Sequence, residues 1–216
     1  NLLLGNPSSA GTSANNYLLV KPYFVLSYNN AKGEPNWVSW RLTRGDLGDA
    51  PRRRNFETDL TLPFGFKQIT DKDYTGSGYD RGHLCPHGDR TKNLEMSYGT
   101  FVMTNIIPQA HNLNEKAWDS LEMYCRALAK NDNDRLYITD GPAGSGGTGI
   151  FGRKEWIATG KVAVPAVCWK VIVVVPDDGT EDLADITSST RVIAVIMPND
   201  QNVGFEWAKY RTGVAE

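Results

Sequence analysis

Runs of β-forming residues crowd both ends of this chain, a single strongly periodic helix lies between them, and no regular β-α-β-α alternation links the two. Residues 17–28 and 37–42 are dense in Tyr, Val, Leu and Trp. The turn formers Asn29-Asn30-Ala31-Lys32-Gly33-Glu34-Pro35 separate them, which predicts an opening β-hairpin. Residues 135–140 predict a further strand, 161–175 and 190–197, with a Val/Ile/Ala majority, predict central ones, and 100–107 another that Pro108 ends. The hairpin and the missing alternation argue against a doubly wound parallel sheet. The expected fold is therefore mixed α/β of the α+β kind, with a central, mainly antiparallel sheet flanked by helices. At 216 residues it is read as a single domain over 1–216, with 1–16 as an N-terminal arm.

The helix spans about 114–130, because Trp118, Leu121, Cys125 and Leu128 recur on one face. Asn112, followed three residues later by Glu115, reads as a capping box that leaves the Asn114 amide unused in the first turn. At 100° per residue, Asn114, Glu122 and Arg126 share a sector bordering the apolar stripe. One helix thus offers an amide oxygen, a carboxylate and a guanidinium to a common cleft, expected to face His83. Taken alone, the same residues also read as a helix turn with an i,i+4 ion pair.

The stretch Asp80-Arg81-Gly82-His83 concentrates chemistry. A neutral imidazole takes up a proton near neutral pH, and a guanidinium fork matches two phosphate oxygens. Glycine permits close approach of a substrate, and Asp80 is placed to orient an imidazole or a metal-bound water. Upstream, residues 41–54 hold Arg41, Arg44, Arg52, Arg53 and Arg54 against Asp46 and Asp49, five positive charges against two, which reads as a phosphate clamp or a solvated loop. The net charge of the whole chain is -2, so any polyanion site has to be local. His83, Cys85 and His87 alternate as zinc ligands sometimes do, but a structural zinc site takes four ligands at recognised spacings and Pro86 interrupts the run. The glycine-rich run 141–149 is not a phosphate-binding P-loop, since Gly147 stands where the lysine is required, and it reads as a flexible connection. Three cysteines give no disulfide framework. No apolar run is long enough to span a membrane. The chain opens on Asn1 and has no charged segment before Leu2-Leu3-Leu4, so it is read as processed, with a secreted or periplasmic location and its signal peptide removed.

Asp80-Arg81-Gly82-His83, Thr104-Asn105-Ile106-Ile107-Pro108-Gln109 and the series Asn112, Asn114, Trp118, Leu121, Glu122, Arg126 stand in one order and spacing. Together they resemble the sugar-non-specific DNA/RNA endonucleases of the ββα-metal group, over nearly the whole chain. The resemblance implies a ββα-metal core and Mg2+-dependent hydrolysis of single- and double-stranded DNA and RNA to 5′-phosphate and 3′-hydroxyl ends, with Mn2+ substituting. It implies His83 as general base, Asn114 as direct metal ligand, Glu122 as organiser of the metal's waters, and Arg52 and Arg126 as phosphate-facing cations beside Asp80 and Arg81 of the motif. Three consecutive arginines stand where the family has one, and Arg52 is taken as its counterpart. The rivals are a non-catalytic nucleic-acid-binding domain and a zinc module. The arginine surplus also suits an acidic polypeptide inhibitor at the cleft.

Overall fold

In the computed structural model, which describes residues 1–181 and 183–214, the β-dense runs pair into a seven-stranded sheet that is antiparallel throughout. Its order is Thr12–Ser13, Asn16–Val20, Val25–Asn29, Glu34–Leu42, Asp134–Ala143, Val167–Pro176 and Arg191–Pro198. Five of the six neighbouring pairs join strands that lie near each other in the chain. The exception decides the architecture: Glu34–Leu42 lies beside Asp134–Ala143, so everything from 43 to 133 is an insertion between two paired central strands. That insertion carries most of the site residues.

Strand alternation sorts the sheet's faces. Leu26, Val38, Trp40, Leu136, Ile138, Ile172, Ile193 and Val195 point one way and meet the helix stripe of Trp118, Leu121, Cys125 and Leu128 in one core. The opposite face is covered more thinly, with Leu2 and Ala10 of the arm against Val25 and Trp37, and Leu3 and Ile186 against Tyr137 and Val173. The arm is ordered: Asn1 accepts from the Arg41 amide at 3.0 Å and from the Ser39 hydroxyl at 2.9 Å. The 177–187 connection crosses Asp182, which lies outside the described residues.

Four local expectations need correction. The strand expected at 100–107 is mostly not one: Met103–Asn105 forms a 3₁₀ turn and the strand is Ile106–Gln109. It runs through Pro108, because a two-stranded ribbon has a free edge where a missing N–H breaks no ladder bond. The 161–175 run is split by Pro165 into Val162–Ala163 and Val167–Pro176. Gly141 and Pro142 are not loop but the end of a central strand, opposite Trp169 and Cys168. The helix also begins earlier than its capping signal. Asn112 is already helical, at φ -70° and ψ -30°, and its side chain donates to the Gln201 carbonyl and accepts no first-turn amide. Leu113–Trp118 is wound as a π-helix before the α-helix Asp119–Ala127, a local widening that recurs at functional sites. All three cysteines are free and buried. No helix among the described residues is long and apolar enough to cross a membrane.

Candidate active site

The motif Asp80–His83 is itself a strand, paired antiparallel with Ile106–Gln109 so that His83 faces Ile106 and Asp80 faces Gln109. Alternation puts Arg81 and His83 on one face and Asp80 and Gly82 on the other. Gly82 makes room for the buried Gln109 carboxamide, which a Cβ there would overlap and displace. Two buried asparagines hold the ribbon. Asn105 accepts from the Cys85 amide (2.9 Å) and donates to the carbonyls of Cys85 (2.8 Å) and Thr100 (2.9 Å), which accounts for a polar residue in an apolar run. Asn199 donates to Pro108 and Pro165 and accepts from Ala110, joining the ribbon to the main sheet.

The helix and ribbon enclose a polar cavity of about 470 Å³ whose lining includes Arg52, Arg81, His83, Asn114, Glu122 and Arg126. Six of the seven expected site residues therefore meet. Asp80 does not line it, because it lies on the other face of its strand. Its Oδ2 accepts from Asn114 Nδ2 (2.9 Å) and binds His111 Nδ1 (2.9 Å), so Asp80 orients Asn114 and not His83. Of the three consecutive arginines only Arg52 lines this cavity. Arg53 is paired with Glu57, and Arg41 with Glu181 on the main sheet. The clamp expected of five arginines reduces here to Arg52.

His83 is 7% exposed, wedged against the rings of Phe56 and Phe101, and its Nε2 has no protein partner. Burial, followed by Arg52 and His87, holds its pKa well below 6.5, so the ring is neutral near pH 7 and free to accept a proton. Arg81 is tethered by Asp71, through Nε to the carboxylate (2.5 Å) and Nη2 to the carbonyl (2.7 Å). Arg126 is held by Asp89 (3.2 Å), Asp119 (3.5 Å) and Glu122 (3.6 Å), the last being the expected i,i+4 pair. Gly88 admits it, for a Cβ there would lie 2.7 Å from Arg126 Nη1. Burial pushes the Glu122 acid up to about 7, against the pull of Lys170 and Arg126.

A buried charge network behind the cavity escaped the sequence reading. Lys170 is 1% exposed, 3.2 Å from Asp140 and 3.8 Å from Glu122, with its ammonium 4.1 Å from the Trp118 ring centroid. Asp140 and Lys170 are direct cross-strand partners. Asp89, also buried, accepts from Trp40 Nε1 at 2.9 Å while it holds Arg126. The one available signal was a lysine in the middle of a Val/Ile strand, a position that is tolerated only with a buried counter-charge.

Comparison with known proteins settles the family. A family model described as DNA/RNA non-specific endonuclease matches residues 6–216. The chain belongs to the DNA/RNA non-specific endonuclease family. It is 46% identical to a Nostoc nuclease over all of this chain and 76% of that protein. It is 35% identical to the mitochondrial nuclease EXOG of Xenopus laevis over 91% of this chain and 52% of that one. A solved chain of an EndoG/EndoGI complex superposes with a TM-score of 0.77 at 26% identity, covering 97% of this chain and 82% of that one. The protein is thus an endonuclease on a mixed α/β fold.

For a member of this family the donor set at Asn114 is informative. Both Asn114 Nδ2 protons go to carboxylates, of Asp80 (2.9 Å) and Glu115 (3.1 Å), which leaves Oδ1 free to ligate. Three arginines line the cavity, and so do three carboxylates, Glu115, Asp119 and Glu122. That balance suits a divalent cation bound together with a phosphate better than a phosphate alone. Among the described residues no three His, Cys, Asp or Glu side chains cluster as metal ligands, so the alternating His83, Cys85 and His87 do not make a zinc site.

Proposed function

We propose that this cleft is a Mg2+-dependent, sugar-non-specific site hydrolysing phosphodiester bonds of single- and double-stranded DNA and RNA, with His83 as general base. The observation that carries the reading is that a neutral imidazole with an unpartnered Nε2 shares one cavity with a free carboxamide oxygen and three guanidinium groups. His83 takes the proton of a water that attacks phosphorus in line. The bond to the 3′-oxygen breaks, leaving a 5′-phosphate and a 3′-hydroxyl protonated from solvent. Arg52, Arg81 and Arg126 hold the phosphate and the charge that grows on its oxygens. Asp80 positions Asn114 rather than taking part in proton transfer.

Asn114 would ligate the ion through Oδ1, and Glu122 would bind its waters. Mg2+ keeps most of its hydration and favours hard oxygen donors, which one amide and one carboxylate supply, and Mn2+ accepts the same set. When bound, the ion supplies Lewis-acid stabilisation of the leaving oxygen. A general base contributes roughly 10²–10⁴ in rate, so the arginines and the ion have to supply the rest. Because the nucleophile is water and the contacts are to phosphate, neither the base nor the 2′-hydroxyl is read.

An acidic polypeptide inhibitor seated at Arg52 belongs to the same reading, and its affinity should fall with salt and with Arg52→Glu. The test of the function is direct. The purified chain should cut supercoiled DNA and single-stranded RNA with Mg2+ and neither in EDTA, and its products should be ligatable at the 5′ end without phosphorylation. Binding without metal-dependent cleavage of either would overturn it.

A further inference from the structure

The active cavity adjoins two others through Arg81 and Thr75. Arg81 also lines a second cavity of about 490 Å³ with Thr75 and Phe151, and Thr75 in turn lines a third of about 670 Å³ that holds Lys72, Lys154 and Trp156. Arg81 and Thr75 thus link the three cavities in a row, an interrupted surface channel. The turn Asp71–Tyr74 and Thr75 flank the two outer cavities, and Arg81 Nη2 ties them to the active cavity by donating to both the Asp71 carbonyl and Thr75 Oγ1.

The channel's surface is unusual in two respects. Phe151 is 66% exposed and Trp156 44%, each with an ammonium near its face, Lys154 at 5.9 Å and Lys67 at 5.8 Å. Both rings lie on short hairpins rather than on loose loops. Phe151 sits at the tip between Gly147–Gly149 and Gly152–Lys154, where the Ile150 amide donates to the Gly78 carbonyl at 3.0 Å. Gly78 has φ +93°, and a Cβ on it would lie 2.8 Å from Phe151, so the ring rests on bare backbone. Trp156 is paired with Ala163. The cations are also available. Lys72 and Lys154 have no ion-pair partner among the described residues, Lys72 being exposed and Lys154 Nζ donating to the neutral Ser77 carbonyl at 2.7 Å, whereas Lys161 is neutralised by Asp73 at 2.8 Å.

We propose that this channel is a second nucleic-acid subsite, holding an unpaired strand that leads away from the cleaved phosphate. Phe151 and Trp156 are its stacking platforms, and Lys72 and Lys154 its phosphate contacts. The inference rests on the nuclease reading of the adjoining cavity. Exposed rings spaced along a basic groove suit single strands, because stacking needs a free base face, and they suit any sequence, because every base has one. A duplex hides those faces and gains only the phosphate contacts.

The experiment compares wild type with Phe151→Ala/Trp156→Ala and with Lys72→Glu. Affinity is read by fluorescence anisotropy in EDTA, for a single strand of about twenty nucleotides and its duplex, and kcat/KM is measured with Mg2+ on that strand and on a dinucleotide. Substitution of two exposed rings should leave the melting temperature in place. The double variant should bind the long single strand about 10-fold or more weakly. It should also lower the ratio of kcat/KM on the long strand to that on the dinucleotide by a similar factor, and weaken duplex binding far less. Lys72→Glu should reduce the salt dependence of binding by about one counterion. Unchanged affinity for the long strand in the folded double variant overturns the proposal, and so does equal weakening for strand and duplex. If wild type cuts nothing, the nuclease reading fails on its own, and the anisotropy arm still decides the channel.

Discussion

Glu34 lies in the central strand Glu34–Leu42, 1% exposed, and neither carboxylate oxygen has a hydrogen-bond partner. Burial pushes its acid up to about 8 from an ordinary 4.5, with only Lys32 pulling the other way. The native chain therefore keeps a proton that the unfolded chain releases near pH 4.5. Stability contributed by the neutral acid is full below that pH and is lost as pH rises towards about 8. Each pH unit in the window costs about 1.4 kcal/mol, which comes to about 3 kcal/mol by pH 7. Glu34→Gln keeps the shape and removes the ionisation. Urea unfolding at intervals from pH 5 to 8 should show the variant gaining on wild type by about 1.4 kcal/mol per pH unit. Glu122 and Asp140, both pushed up to about 7 mainly by burial, slope the same way, but they are common to both proteins and cancel in the difference. Parallel stability curves across the window would refute the reasoning.

Asn114→Ala should cost about 100-fold or more in kcat, as loss of a preorganised site group does, while urea unfolding moves by only about 1 kcal/mol, since the lost bonds run to part-exposed carboxylates. Lys170→Met strands Asp140 as an unpaired buried acid and leaves Glu122 with Arg126 alone, and should destabilise the fold by about 3–5 kcal/mol in urea, with Lys170→Met/Asp140→Leu recovering part of the loss. Gly88→Ala should raise KM for nucleic acid with little change in melting temperature, because the added methyl displaces the Arg126 guanidinium rather than backbone.

The sheet was legible in its β-forming runs because period-2 burial writes directly into sequence, and the helix because Trp118, Leu121, Cys125 and Leu128 follow a 3.6 period. The insertion between paired central strands was not, since sequence order says nothing about which strands pair across 90 or more residues. Local signals misled where tertiary contacts outbid them. Asn112 reads as a cap, yet Gln201, distant in sequence, takes its side chain, and Pro108 reads as a stop, yet it sits on a ribbon edge. At the site, five residues of the motif series and Arg52 line one cavity, and the position of Asp80 followed strand alternation instead. Asp89, Asp140 and Lys170 were invisible as a group because each becomes meaningful only beside the others.

The most direct test of the account is chemical rescue at His83. His83→Gly empties a space between Phe56 and Phe101 while Asn114, Glu122 and the arginines keep their own anchors. Activity should fall by about two to four powers of ten, and added imidazole should restore part of it. The restored rate should follow the neutral form of imidazole, rising through about pH 7. Wild type, whose His83 pKa is held well below 6.5 by burial and by Arg52, should stay active to lower pH than the rescued variant. A folded His83→Gly protein that imidazole fails to revive at any pH would contradict the assignment of His83 as the base.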